Sequence, residues 1–177
     1  MTATEILDQL KDLGSESIKK TLMRHGIPEP LYGVKVEELK KIQKKVKFDH
    51  KLSLELYDSG IYDARYLAGL VAAPEQMSKK ELQHWAQQAN APILSESTVA
   101  WVASESKYGL EMALEWIGSA DANIASSGWA TLADLVAIKE DGDLDIALLK
   151  QLLERVVKTI HTSRNRVKYT MNTFVIA

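Results

Sequence analysis

The chain has 177 residues, 46% of them hydrophobic and 26% charged, with no cysteine and a formal net charge of −2. That length supports one domain with a core of its own, and the missing thiols exclude disulfides, cysteine nucleophiles and cysteine zinc sites. The charge is unevenly spread: residues 1–51 carry 11 Lys/Arg against 8 Asp/Glu, residues 52–154 carry 6 against 16, and residues 155–177 carry 5 against none, so basic ends flank an acidic middle.

Taken in order, the first predicted helix has Thr2 or Thr4 as its N-cap, carries Ile6, Leu7, Leu10 and Leu13 on one face, and stops at Gly14. Ser15 caps a second helix that runs through Ile18 and Leu22 to Gly26, making an opening hairpin. The link from His25 to Val34 holds two prolines and two glycines and cannot continue a helix. A third helix turns Val36, Leu39, Ile42 and Val46 inward. Its outer flank is a ridge of Lys40, Lys44 and Lys47 beside Lys41 and Lys45, the most concentrated positive patch in the chain.

From Leu52 the rhythm is helix, short turn, helix. The expected pairs are Leu52–Tyr57 with Tyr62–Ala73, Lys79–Ala89 with Ser95–Glu105, and Tyr108–Ile117 with Asn123–Ala137, followed by Leu144–Ile160 and a last helix from Arg164. Asp63 and Arg65 are expected to form a local ion pair that orders the turn before them. First helices recur 27, 29 and 36 residues apart, which are helical-repeat spacings. Helices that each bury one face, with no strand pattern beside them, must stack on one another, and the expected fold is an all-α solenoid.

The stretch from Ser95 to Val136 organises that stack, with Trp101, Trp116 and Trp129 each on its own helix at core-compatible positions. In the third of these helices Ile124, Gly128, Leu132, Leu135 and Val136 share one face, while Ser127, Thr131 and Asp134 lie on another, free to line a groove or to face solvent. The last helix has Val167, Met171, Phe174 and Val175 on its apolar face. Asn165, Tyr169 and Asn172 fall at i, i+4 and i+7, a row of amides and a phenol that suits a buried or ligand-facing role, and Arg164 faces Lys168 one turn on. The chain closes on Phe-Val-Ile-Ala, which would leave apolar groups bare, so a further helical segment is expected after Ala177 of a single repeat domain.

Several segments now carry a resemblance in a common order. Leu31-Tyr32-Gly33-Val34 before the lysine-rich helix, Tyr57-Asp58 with Tyr62-Asp63-Ala-Arg65, Glu115-Trp116-Ile117, Gly128-Trp129 and Asn165 through Asn172 resemble the AlkD-type DNA alkylation repair family over essentially the whole chain. The resemblance implies HEAT-like helical repeats and a basic surface that cradles duplex DNA. For active members it also implies a carboxylate near the lesion's sugar, which stabilises the cation formed as an alkylated purine departs, with an arginine and aromatic side chains assisting. Where that carboxylate should fall the sequence reads Ala91-Pro92-Ile93-Leu94-Ser95-Glu96, with no tryptophan ahead of Glu96, and no Arg or Lys occurs between Lys107 and Lys139.

The catalytic candidates are therefore Glu96 and Asp134, set against a plainer role for Glu96 as a first-turn residue of a helix capped by Ser95. The DNA-binding candidates are Lys40, Lys41, Lys44, Lys45, Lys47, Arg164, Asn165, Lys168, Tyr169 and Asn172, which would hold the phosphates of double-stranded DNA. A non-enzymatic scaffold that binds a protein or peptide on its concave face is the alternative. The four histidines share no metal-ligand spacing, and there is no phosphate loop and no nucleophile elbow, so neither metal nor cofactor is expected. No run approaches the roughly 20 apolar residues of a membrane span, and the reading is cytoplasmic.

Overall fold

A computed structural model describes all residues, 1–177. It has eleven α-helices and no strand, in keeping with the helical period of every apolar pattern. The first five are α1 (Ala3–Asp12), α2 (Glu16–Arg24), α3 (Val36–Val46), α4 (His50–Asp58) and α5 (Tyr62–Val71). After α6 (Lys79–Gln88) a π-helical segment, Leu94–Val99, runs straight into α7 (Ala100–Glu105). Then come α8 (Gly109–Trp116), α9 (Ala122–Ile138), α10 (Ile146–Thr159) and α11 (Asn165–Ile176). None of these helices is long and apolar enough to cross a membrane.

Local chemistry sets the boundaries. Thr2 opens α1 with a capping box, its hydroxyl accepting from the Glu5 amide at 3.2 Å while the Glu5 carboxylate accepts from the Thr2 amide at 2.8 Å. Ser15 precedes α2 but makes no side-chain cap; its amide donates instead to the carbonyls of Tyr32 and Gly33, at 3.1 and 3.2 Å. The Pro/Gly link is thereby drawn back onto the first hairpin. On α3 the inward residues are Leu39 and Ile42, with Val46 half-buried and Val36, the first residue of the helix, exposed.

The link is fixed by a contact that replaces the expected ion pair. Asp63, buried at the start of α5, accepts the amides of Tyr32 (2.6 Å), Gly33 (3.3 Å) and Val34 (2.8 Å). A carboxylate with three backbone donors is satisfied without a cation. Gly33 is required there, since its φ is +76° and a Cβ would lie 2.5 Å from the Lys19 nitrogen. Arg65 is also buried and points elsewhere, donating to the carbonyls of Tyr57 (3.1 Å) and Gln88 (2.8 Å) beside a Tyr57 ring that is stacked at 4.1 Å on Trp85. Asp63 and Arg65 thus tie two different joints of the chain, and no pair forms between them.

Two hydrophobic clusters meet at α8. Met112 and Trp116 belong to the first, which extends back to Ile6, while Ala113 and Ile117 belong to the second, built on Trp129, Leu152, Val156, Met171 and Phe174. Each layer buries its face on the next, the logic of stacked repeats. Helix α9 is the hub and packs on α6, the π-helical segment, α7, α8 and α11. It is buried on nearly every side from Ala125 to Ala133, a pattern proper to a central helix. Ser127 and Thr131 therefore line no groove: their hydroxyls donate back to the carbonyls of Asn123 and Ser127, at 3.0 and 2.7 Å. At Gly128 the helices approach so closely that a Cβ would lie 2.8 Å from the Ile117 nitrogen and 2.9 Å from the Ala113 oxygen.

Candidate functional site

The site is built around the π-helical segment. Helical backbone begins at Pro92, three residues earlier than a start at Ser95 would give, because proline is suited to the first helical position. Ser95 consequently sits inside the helix, buried, with its hydroxyl directed at the carbonyls of Ala91 and Pro92 at 3.4 and 3.2 Å. Glu96 is no first-turn residue of a Ser95-capped helix. It stands in a wide π-helical turn, a geometry that accumulates at functional sites, and faces a cleft of about 520 Å³.

Four helical elements close that cleft, together with His25 and Ile27 of the link after α2. The π-helical segment gives Glu96, α7 gives Trp101, α9 gives Asp134, and α11 gives Arg166, Tyr169 and Thr173. Arg166 grips Glu96 with both ends of its guanidinium, Nε donating to Oε1 at 2.7 Å and Nη2 to Oε2. The carboxylate side chain is 9% exposed and the guanidinium side chain 45%, so the acid lies within and the cation at the mouth. The same guanidinium lies 4.5 Å from the centre of the Tyr169 ring, a cation–π contact. Its hydrogen bonds to Glu96 hold the Arg166 guanidinium above its ordinary range, against the opposing effect of burial. The cleft's arginine comes from α11, 70 residues beyond the carboxylate it meets, and α9 contributes none.

Asp134 differs from Glu96. Burial pushes its carboxyl up to about 6, with the neighbouring Glu105 carboxylate adding to the effect. Its Oδ2 has no hydrogen-bond partner in the chain. An acid that titrates near neutrality in a cleft is the kind of group that functional sites collect. Trp101 is only half-buried, with its ring edge-on to Tyr66 at 5.8 Å, and is a cleft wall rather than the core residue its position suggested; Trp116 and Trp129 are fully buried, as core positions should be.

The structure gathers some of the sequence candidates and separates others. Glu96, Asp134 and Tyr169 share the cleft. Lys40, Lys41, Lys44, Lys45 and Lys47 are all exposed on α3, with Lys41 paired to Glu38 at 2.6 Å, and none of them lines the cleft. Arg164 opens onto a different hollow, about 230 Å³, beside Arg155. Asn165 and Asn172 are exposed rather than buried and line neither hollow, and Lys168 is half-buried. Sequence reasoning missed Arg166 itself; its one local signal was the i, i+3 spacing to Tyr169.

Comparison with known proteins bears on the family and the fold. A family model described as DNA alkylation repair enzyme matches residues 6–176. An uncharacterized protein of Listeria innocua is 28% identical over 182 residues, covering 99% of this chain and 78% of the relative, and an uncharacterized protein of Listeria monocytogenes matches at the same identity and coverage. A solved structure is similar with a TM-score of 0.93 and 36% identity, covering 99% of this chain and 74% of that one. It is described as a new family of proteins related to the HEAT-like repeat DNA glycosylases with affinity for branched DNA structures. The likeness bears out the HEAT-like all-α architecture expected from the helical periods.

Proposed function

The chain belongs to the DNA alkylation repair enzyme family, and from that premise we propose that it binds DNA, branched DNA in preference to plain duplex, and that it retains damaged DNA without efficient base release. The preference for branches rests on the affinity described for the structural neighbour. Phosphates are held by the exposed lysines of α3 and by Arg164 at the start of α11, positioning the DNA without reading its sequence.

The observation that carries the second half is the Glu96–Arg166 fork. Releasing an alkylated purine leaves positive charge on the sugar, which an unengaged carboxylate stabilises. Glu96 already has a cation across both of its oxygens, so its field at the cleft mouth is largely cancelled. Asp134 is the one carboxylate of the cleft with a free oxygen, and any residual excision depends on it.

The test is to incubate the protein with duplex and with four-way-junction DNA carrying 7-methylguanine or 3-methyladenine, and to measure retention and base release together. Retention with little release is the expected outcome, with Glu96→Gln and Asp134→Asn leaving retention nearly intact. Robust release abolished by either substitution would overturn the binding-only reading, and absence of retention on every DNA would favour a protein-binding scaffold.

A further inference from the structure

Outside the fork, the most exposed aromatic of the chain is Phe48, at 70%. It stands between two locked backbones. Lys47 closes α3 with φ at +64° and its amide bound to the Gln43 carbonyl at 2.7 Å, while Asp49 begins α4 with its amide on the Val71 carbonyl at 2.8 Å. A non-glycine residue at positive φ is strained, and such strain persists where the surroundings impose it, often at functional positions. The ring is therefore presented by a fixed turn.

Phe48 lines a second open groove, about 240 Å³, that includes Trp101 and Glu105. Trp101 is also a wall of the main cleft, where Tyr169 lies under Arg166. The two grooves are thus adjacent, with Trp101 common to both, and offer three accessible aromatic rings along one path. A single exposed phenylalanine is ordinary on a protein surface. This one sits at the end of the lysine ridge, with Lys44, Lys45 and Lys47 exposed beside it. Asp134 and Glu105 line the path and Glu96 is neutralised there by Arg166, so phosphates are drawn chiefly to the exposed lysines, and the faces of bases are left to meet the rings.

Resting on the DNA-binding reading above, we propose that this path takes an unpaired stretch of DNA strand, with its bases stacked on Phe48, Trp101 and Tyr169 and its backbone along the lysine rim. Stacking on aromatic side chains is indifferent to sequence and needs bases freed from the duplex, which a branch point supplies and a continuous duplex does not.

The test compares a continuous duplex with the same duplex interrupted by a gap of about five nucleotides, by fluorescence anisotropy at fixed salt. The wild type should bind the gapped DNA more tightly. Phe48→Ala should lower affinity for the gapped DNA about tenfold and for the duplex less than about twofold, with Phe48→Tyr restoring the preference. Tryptophan emission gives a second readout: Trp85, Trp116 and Trp129 are buried, so quenching by the gapped DNA should come from Trp101 and vanish in Trp101→Phe, which keeps a ring against Tyr66. Equal affinity for the two DNAs with no quenching would overturn the proposal and leave DNA binding standing, as would an equal loss on both DNAs in Phe48→Ala. Failure to bind either DNA would instead remove the reading on which the proposal rests.

Discussion

Replacing Asp134 by asparagine should stabilise the protein above about pH 4, and fully above about pH 6. Burial, aided by Glu105, raises this carboxyl from 3.8 to about 6, so the folded chain holds the proton more tightly than the unfolded chain does. Between those two values the native state binds more protons, and stability falls as pH rises. The penalty is absent below about pH 4, grows through the interval, and is complete above about pH 6. A shift of about two units corresponds to at most roughly 3 kcal/mol, and because the group is only partly shielded from solvent about 1 kcal/mol is the realistic share. Asparagine keeps the shape and removes the charge. Thermal unfolding at pH 7.5 should show a rise of about 2–4 °C for a chain of this size, shrinking to nothing near pH 4. A variant less stable than wild type at pH 7.5, or a difference that does not change with pH, would show that the Asp134 carboxylate is engaged favourably in the folded protein and refute the argument.

Three other outcomes are expected. Arg166→Ala leaves the nearly buried Glu96 carboxylate without its cation and should cost about 1–3 kcal/mol in urea unfolding, more than Glu96→Gln, which leaves a neutral group inside; equal losses would show that the fork is not what holds α11 to the π-helical segment. Gly128→Ala should destabilise the fold by about 1–3 kcal/mol despite alanine's better helix propensity, because the added methyl meets the α8 backbone; a higher melting temperature would show that the two helices separate freely. Changing Lys40, Lys44 and Lys47 together to alanine should weaken binding to all DNA sequences alike and lower the salt slope by about 0.9 for each phosphate no longer neutralised; unchanged affinity and slope would take α3 out of the interface.

What was legible in the sequence was whatever depends on neighbours along the chain. The helical period of the apolar residues gave the fold class and nearly every helix, and the Pro/Gly link from His25 to Val34 was readable as a break. The departures come from contacts between distant residues and from local backbone geometry that periodicity does not announce. Asp63 and Arg65 are two positions apart, which suggests a local pair, yet their partners lie about 30 residues back for the carboxylate and 8 to 25 residues away for the guanidinium. Glu96 reads as a helix-start residue because Ser95 is a good cap, but Pro92 has already begun the helix, and no periodicity announces a π-helical turn. Ser127 and Thr131 share a helical face with Asp134, and only the packing of α9 as the central helix shows that two of the three are turned back on their own backbone.

The fork also joins units that the core keeps apart. Glu96 rides on the segment that contributes Leu94 and Val99 to the first cluster, and Arg166 on the helix that contributes Val167, Met171 and Phe174 to the second. Elsewhere the two blocks meet at α8, which gives residues to both, and along α9 where it packs on α6, the π-helical segment and α7. The fork lies at the cleft mouth and so adds a polar clasp to that apolar packing. A strand that levered the cleft open would have to break it, and a phosphate that took Arg166 away from Glu96 would loosen one half against the other. On the proposed function, grip on a phosphate and the hold of α11 on the π-helical segment would compete for one guanidinium, and amide exchange in α11 would register it.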